Sequence, residues 1–342
     1  MLKKTVFIVA FSLGCILQNQ AQTVHKPAEL VKIMSDSKVK YSLAELYVDV
    51  KAKDYSNMLN GNNIYHEDSD GHMVVKKMYL AKEAQEEWDA AEKSFTQDKN
   101  LKEARKHYKN VLDIQGDYYP AKIRIGQTFE QEKDLEKAIS SYKQAISKNY
   151  VDYLPHFLIA EAYFQNKDYD NAVNEITLAH ILDRNNPAIL DSMIGIYSDS
   201  HLTYDDWVFF PQIKLFKGQK DNEVKVLSQP CWGGYAMVKA IWEYEPGYAA
   251  GQGEKPGNPS LLQEKECMLN LLASQDETKV KITDNGILNL QKAQEDKTMD
   301  SFIYYEVLLT EKPTMVYELP NNIIKKMKDY VIQAHGGLYK KK

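Results

Sequence analysis

Apolar positions along this chain recur at helical spacing and, between residues 85 and 199, at a second and longer period. Phe95, Phe129, Tyr163 and Tyr197 stand 34 residues apart, and the same step links Leu101, Leu135 and Tyr169, then Ala104, Ala138 and Ala172, then Tyr108, Tyr142 and Ile176. Ala91, Ile125 and Ile159 form a further column, as do Val111, Ala145 and Ala179. Each unit reads as two amphipathic helices around a polar turn, for example residues 121–131, then Glu132-Lys133-Asp134, then 135–147. Gly126 and Ala160 in the first helix, with Ala138 and Ala172 in the second, let helix axes approach while the aromatic columns fill the space beside them. Before the repeats, Leu30, Ile33, Met34, Val39 and Leu43 predict one helix after Pro27, a good first-turn residue. Residues 57–72, rich in Asn, Asp, Ser and Gly, read as a loop, followed by a long helix from about Met73 into the first repeat. After residue 200 helical patterns recur at 235–244, 261–273, 286–294, 301–310 and 321–335, punctuated by Pro246, Pro313 and Pro320. The glycine- and proline-rich stretch 245–259 reads as a long exposed loop, either a connector or a binding lid.

The residues of the 34-residue unit resemble the tetratricopeptide repeat family. Ala160, Tyr163, Tyr169, Ala172 and Ala179 follow the family pattern, and Trp88 stands at the early tryptophan position of the first unit. Three departures occur: Glu92 takes the small mid-helix position in the first unit, Lys99, Lys133 and Lys167 stand where the family prefers Gly, and the fourth unit keeps only its first helix. The resemblance implies an all-α fold, a helical-hairpin repeat solenoid with additional N- and C-terminal helices. It divides the chain into 1–22, 23–84, 85–199 (three units plus a single helix) and a helical region 200–342. It also implies a curved stack whose concave face binds peptides or proteins. Carried over position by position, that face comprises Gln97, then Ile123, Gln127, Glu130 and Gln131, then Phe157, Glu161, Phe164 and Gln165. Gln97, Gln131 and Gln165 form a ladder suited to an extended backbone. Relatives that clamp the acidic tail of a heat-shock chaperone use Lys and Asn at two of these positions, where this chain has Ile123 and Gln127, then Phe157 and Glu161. A carboxylate-terminated tail is therefore not the expected ligand; a mixed polar and apolar peptide surface is.

Composition narrows the surroundings. The 342 residues carry 43 Lys+Arg against 48 Asp+Glu, a formal net charge of −5, which gives no field to hold nucleic acid. Lys3 and Lys4, an apolar run from Thr5 to Leu17 and Ala21 as a cleavage point make 1–22 a secretory signal. That run is too short to span a bilayer, which takes about 20 apolar residues, so no integral membrane segment is expected after signal removal. Ser12 stands three residues before Cys15, where a lipoprotein signal has an apolar residue, which argues against a lipid anchor. A periplasmic or extracellular location in a Gram-negative bacterium follows. Cys231 and Cys267 remain, to be read either as one disulfide or as two buried thiols.

No catalytic or cofactor motif is present in the sequence, so no enzyme activity, cofactor or metal is expected. His66, Asp68, Asp70 and His72 fail as a calcium loop, because the twelfth position is Lys77 rather than Glu, and read as a solvated turn. Cys231 with His201 or His335 is a poor nucleophile and base, since no family signature surrounds the Cys. A second binding reading comes from Trp207, Trp232, Tyr235, Trp242, Tyr244 and Tyr248: flat rings beside Glu243 and Glu245 suit stacking on a glycan, while Tyr235, Val238 and Trp242 at helical spacing equally suit a core. The expected role is protein binding or scaffolding in the cell envelope, with glycan binding as the alternative.

Overall fold

The computed structural model describes residues 24–69, 72–278 and 282–337; the leader 1–22 lies outside them. The chain begins with α1 (Pro27–Asp36), entered by Pro27 at its first turn. The predicted helix stops there. Val39 precedes and Leu43 lies on β1 (Lys40–Glu45), which pairs in parallel with a strand almost two hundred residues later, a partner invisible to local periodicity. Residues 57–72 are likewise more than a loop: β2 (Ile64–Ser69) and β3 (His72–Lys77) form an antiparallel hairpin in which Ser69 pairs with His72. His66, Asp68 and His72 thus fall on strands, and Asp70 lies outside the described residues. The long helix expected from Met73 is replaced by β3, a coil and a 3₁₀ turn at Lys82–Ala84.

The repeats follow as α2 (Gln85–Thr96) with α3 (Leu101–Ile114), α4 (Tyr119–Gln131) with α5 (Leu135–Lys148), α6 (Tyr153–Gln165) with α7 (Tyr169–Leu182), and a single α8 (Pro187–Asp199). Their turns share one construction. Lys99, Lys133 and Lys167 adopt φ of 54°, 64° and 60°, the left-handed conformation that explains the family's Gly. The next residue, Asn100, Asp134 or Asp168, caps the second helix by accepting the amide of Glu103, Lys137 or Asn171. In the fourth unit His201 repeats the left-handed turn at φ 60°, but the cap position holds Leu202, and no second helix follows. Ala104, Ala138, Ala145, Ala172 and Ala179 are fully buried at the helix crossings.

Beyond α8, β4 (Ile213–Lys217) and β5 (Glu223–Ser228) complete a sheet of order β1-β5-β4, antiparallel between β4 and β5. Val224 and Val226 pack on Ala236 and Ala240 of α9 (Gly233–Tyr244). Then come the single turn α10 (Tyr248–Gly251), α11 (Leu261–Thr278) and α12 (Asn285–Glu295). A continuous helical stretch follows, made of α13 (Met299–Phe302), a π-helical segment Ile303–Leu308 and α14 (Leu309–Glu311), before α15 (Asn321–His335) closes the fold. Five of these helices coincide with the helical patterns of the sequence. The stretch 245–259 is anchored in its first half: Ala249 is buried, and the Tyr248 hydroxyl reaches Glu266 at 3.0 Å. α11 lies against α9, while α15 and the 3₁₀ turn Pro313–Glu318 pack on α7. The protein is predominantly helical, and β1 with β5 joins the segment before the repeats to the region after them.

Candidate functional site on the inner face of the repeats

α7 is largely enclosed beyond its first turn, where Tyr169, Asp170 and Asn171 remain exposed. Val173, Ile176, Thr177, Leu178, His180 and Ile181 are all buried, because α6 and α8 take one flank and the C-terminal helices the other. The C-terminal region therefore loads chiefly onto a second helix of the stack, and the first helices keep their opposite face. On that face Gln127, Glu130, Phe157, Glu161 and Phe164 are half-buried, whereas Gln97, Gln131 and Gln165 are exposed. Ile123 does not belong with them. At 3% exposure it joins Tyr119 and Ala138 in the main core, since its helix turns it toward α5.

Two polar clusters run across the repeats here. Arg124 reaches back one unit to Glu92, with Nε donating to Oε1 at 2.9 Å and Nη2 to Oε2 at 3.1 Å, while its Nη1 donates to Gln127 Oε1 at 3.0 Å. The Tyr108 hydroxyl also donates to Glu92 Oε1, at 2.6 Å. The carboxylate at the first unit's small-residue position is thus held by three donors from two other helices. In the second cluster Glu130 accepts from Tyr142 at 2.7 Å and from Gln165 Nε2 at 3.2 Å. The glutamine column is accordingly not a free ladder, because Gln165 is spent on Glu130. Burial, then the charge of Glu130, pushes the Glu161 carboxyl up. No hydrogen bond or ion pair to Glu161 forms among the described residues.

The aromatic residues behave differently from a sugar platform. Trp232 and Trp242 are 0% and 2% exposed, and Tyr235 and Trp207 are buried too. Trp242 Nε1 donates to Glu266 at 2.6 Å and the Tyr235 hydroxyl to Glu264 at 2.5 Å. Trp207 stacks on His335 at 4.5 Å and 6°. Tyr244 packs on the sheet, and Tyr248 stands edge-on to Trp242 at 5.5 Å. Trp207, Trp232, Tyr235 and Trp242 fill the core, so their faces are already covered, whereas Tyr244 and Tyr248 are half-buried. Cys231 and Cys267 are free thiols and not bridged. Burial pushes both thiols up, away from the thiolate that a nucleophile requires. Among the described residues no group of three or more His, Cys, Asp or Glu is placed to hold a metal, and no helix is long and apolar enough to cross a membrane.

One set of functional contacts escaped the sequence reading although it obeys the same period. Gln115, Asn149 and Asp183, 34 residues apart, close α3, α5 and α7 and each grips the N-terminal segment. Gln115 accepts the Ala81 amide at 2.8 Å, Asn149 donates to the Ile64 carbonyl at 2.6 Å, and Asp183 accepts the Asn60 amide at 2.7 Å. Asp152 adds the Asn63 amide at 2.7 Å. The N-terminal segment is thereby held as a strap at Asn60, Asn63, Ile64 and Ala81 along the loop edge of the stack, where the second helices end.

A tetratricopeptide repeat family model matches residues 119–147, which are α4, the turn and nearly all of α5. No curated protein matches the chain. Among solved structures, the first tetratricopeptide repeat domain of Spaghetti (RPAP3) bound to the HSP90 peptide SRMEEVD is similar over 36% of this chain and 98% of that one, with 17% identity and a TM-score of 0.34.

Proposed function

We propose that this tetratricopeptide repeat protein is a non-enzymatic scaffold of the cell envelope, exported through its leader, which binds an extended segment of a partner protein on the inner face of its repeats. The observation that carries the reading is the division of labour around the stack. The C-terminal helices pack chiefly on α7 and the strap follows the loop edge, so α4 and α6 keep a face of mixed chemistry. Phe157 and Phe164 supply apolar contact there, and Gln127, Glu130 and Gln131 supply polar groups at helical intervals. Lys3, Lys4 and the apolar run behind them support export.

Phe157→Ala combined with Phe164→Ala tests the binding face. Both rings are only half-buried, so the fold is expected to survive the change, which far-UV circular dichroism checks. Partner capture from an envelope extract is expected to fall to background. Undiminished capture by a folded variant removes the inner face from consideration. For export, mass spectrometry of the protein from a periplasmic fraction is expected to give an N-terminus near Gln22; an intact leader on cytoplasmic protein refutes that part.

A further inference from the structure

The sheet of order β1-β5-β4 leaves β1 at an open edge. Lys40 donates its amide to the Asn222 carbonyl at 2.7 Å and Leu46 donates to that of Ser228 at 2.9 Å, so the even-numbered residues of β1 turn their backbone groups toward β5. Tyr41, Leu43 and Glu45 turn theirs outward, and neither their amides nor their carbonyls meet a hydrogen-bond partner among the described residues. Every residue of β1 except Tyr41 is exposed. An edge of this kind is a template for another strand, and proteins commonly guard it with lysine. β4, at the opposite edge, carries Lys214 and Lys217 among its five residues, whereas Tyr41-Ser42-Leu43-Ala44 carries no charge.

A groove runs beside this edge. Register places Tyr41, Leu43 and Glu45 on the same face as Val224, Val226 and Ser228, the face on which α9 packs. α9 covers the two valines but not the rim, so Leu43 is 59% exposed. The space left between β1, the start of α9 and the end of α11 measures about 530 Å³, and its apolar lining is Leu43, Val226, Pro230 and Met237. The other face of the sheet carries Lys40, Lys225 and Lys214, all exposed, against Glu223 alone, which lies 3.8 Å from Lys220. A strand laid against β1 therefore sends alternate side chains into opposite chemistries, an apolar groove and a basic face.

We propose that β1 is a docking edge for an extended segment of a partner protein, which adds a fourth strand to this sheet. Its backbone pairs with Tyr41, Leu43 and Glu45, its apolar side chains enter the groove, and the alternate ones are acidic and meet Lys40 and Lys225. Main-chain hydrogen bonds supply the affinity, and the two faces supply the selection. The site is built from residues outside the repeats and is separate from their inner face.

Fluorescence anisotropy on the purified chain uses a labelled peptide of alternating Val and Glu. It is expected to bind, and the same peptide with Lys for Glu should bind at least about threefold more weakly, as for the loss of exposed ion pairs. Two further peptides carry N-methyl groups, one on its Val amides and the other on its Glu amides. Only one of these sets faces β1 for a given strand direction, so one peptide is expected to lose about tenfold or more while the other binds like its parent. Leu43→Pro removes an outward donor and spares the ladder to β5, as edge strands allow. It should weaken the Val and Glu peptide by about tenfold, with the fold checked by far-UV circular dichroism. No binding of the Val and Glu peptide, equal behaviour of the two methylated peptides, or unchanged binding by folded Leu43→Pro overturns the proposal. So does a dimer of the free chain that Leu43→Pro dissolves in sedimentation, because a second copy then occupies the edge.

Discussion

Gly126→Ala isolates the contact that sets the spacing of the second repeat. A Cβ built at Gly126 meets the Tyr142 ring at 2.4, 2.7 and 3.0 Å, where ordinary contact needs about 1 Å more. The ring has nowhere to go, being fully buried with its hydroxyl on Glu130 at 2.7 Å. Alanine gains about 1 kcal/mol over glycine in a helix interior. Against this stand roughly 1–3 kcal/mol for overpacking and about 1 kcal/mol for a disturbed Tyr142 to Glu130 bond. A net loss of about 1–3 kcal/mol follows. Gly195→Ala in α8 is the control, because nothing lies within 4 Å of its Cβ, and it should gain up to about 1 kcal/mol. The third repeat shows the natural remedy, with Ala160 opposite Ile176 in the columns of Gly126 and Tyr142. Gly126→Ala with Tyr142→Ile should therefore cost at least about 1 kcal/mol less than the two changes summed. Guanidinium denaturation followed by far-UV circular dichroism measures the parent, the three single variants and the double variant. A Gly126→Ala variant as stable as Gly195→Ala, or an additive double variant, refutes the reasoning.

Two further outcomes follow from the backbone and the buried charge. Lys133→Gly and Lys167→Gly relieve a left-handed conformation at φ 64° and 60° and should each gain about 0.5–1 kcal/mol in thermal melts; a loss in both means the turn is not strained. Burial pushes the Asp152 carboxyl up, against the pull of Tyr119 and the Leu154 and Asn63 amides, so the native state holds that proton more tightly than the unfolded chain does. This contribution is present below the ordinary value of about 4 and is lost as pH rises through the raised one, so Asp152→Asn should flatten the fall in stability above about pH 4; parallel pH profiles for variant and parent refute it.

The repeats were legible because their information is local and recurs. Columns such as Ala104, Ala138 and Ala172 report helix crossings, and Asn100, Asp134 and Asp168 mark the starts of second helices. Leu202 in the same column marks where that signal ends. The column Gln115, Asn149 and Asp183 was equally visible, but its partners are backbone groups of residues 60–81, which no side-chain pattern announces. β5 carries a short alternation in Val224 and Val226, but in β4 Phe216 and Lys217 break the one begun by Ile213 and Leu215, so neither strand stands out from the helical periods around it. β1 is a different case. Its pairing of Lys40 with Glu223 depends on segments from either side of the repeats meeting, which sequence spacing cannot express. The tryptophans were ambiguous for a physical reason: a ring on an amphipathic helix presents the same spacing whether it faces a core or a ligand. Only the position of α9 between the sheet and α11 decides the matter for Trp232 and Trp242.

The added regions complete the stack in a way that bears on where a partner can sit. A solenoid that ends on an apolar helix pair needs its last surface covered. Here α8 has no second helix, and α7 is apolar nearly all round, from Val173 to Leu182. α15 and Pro313–Glu318 cover it, and Arg184 locks the junction by stacking 4.0 Å above the Tyr305 ring while donating to its carbonyl at 3.2 Å. At the other edge the strap is gripped at three successive junctions, and β1 then joins the N-terminal segment to β5 of the C-terminal region. The repeats are therefore clasped by both ends of the same chain, along the loop edge and over a second helix. A clasp so placed leaves the inner face of α4 and α6 uncovered, where the half-buried Glu161, left without a hydrogen bond among the described residues and beside Glu130, keeps a desolvation cost that a donor from the proposed bound segment would relieve.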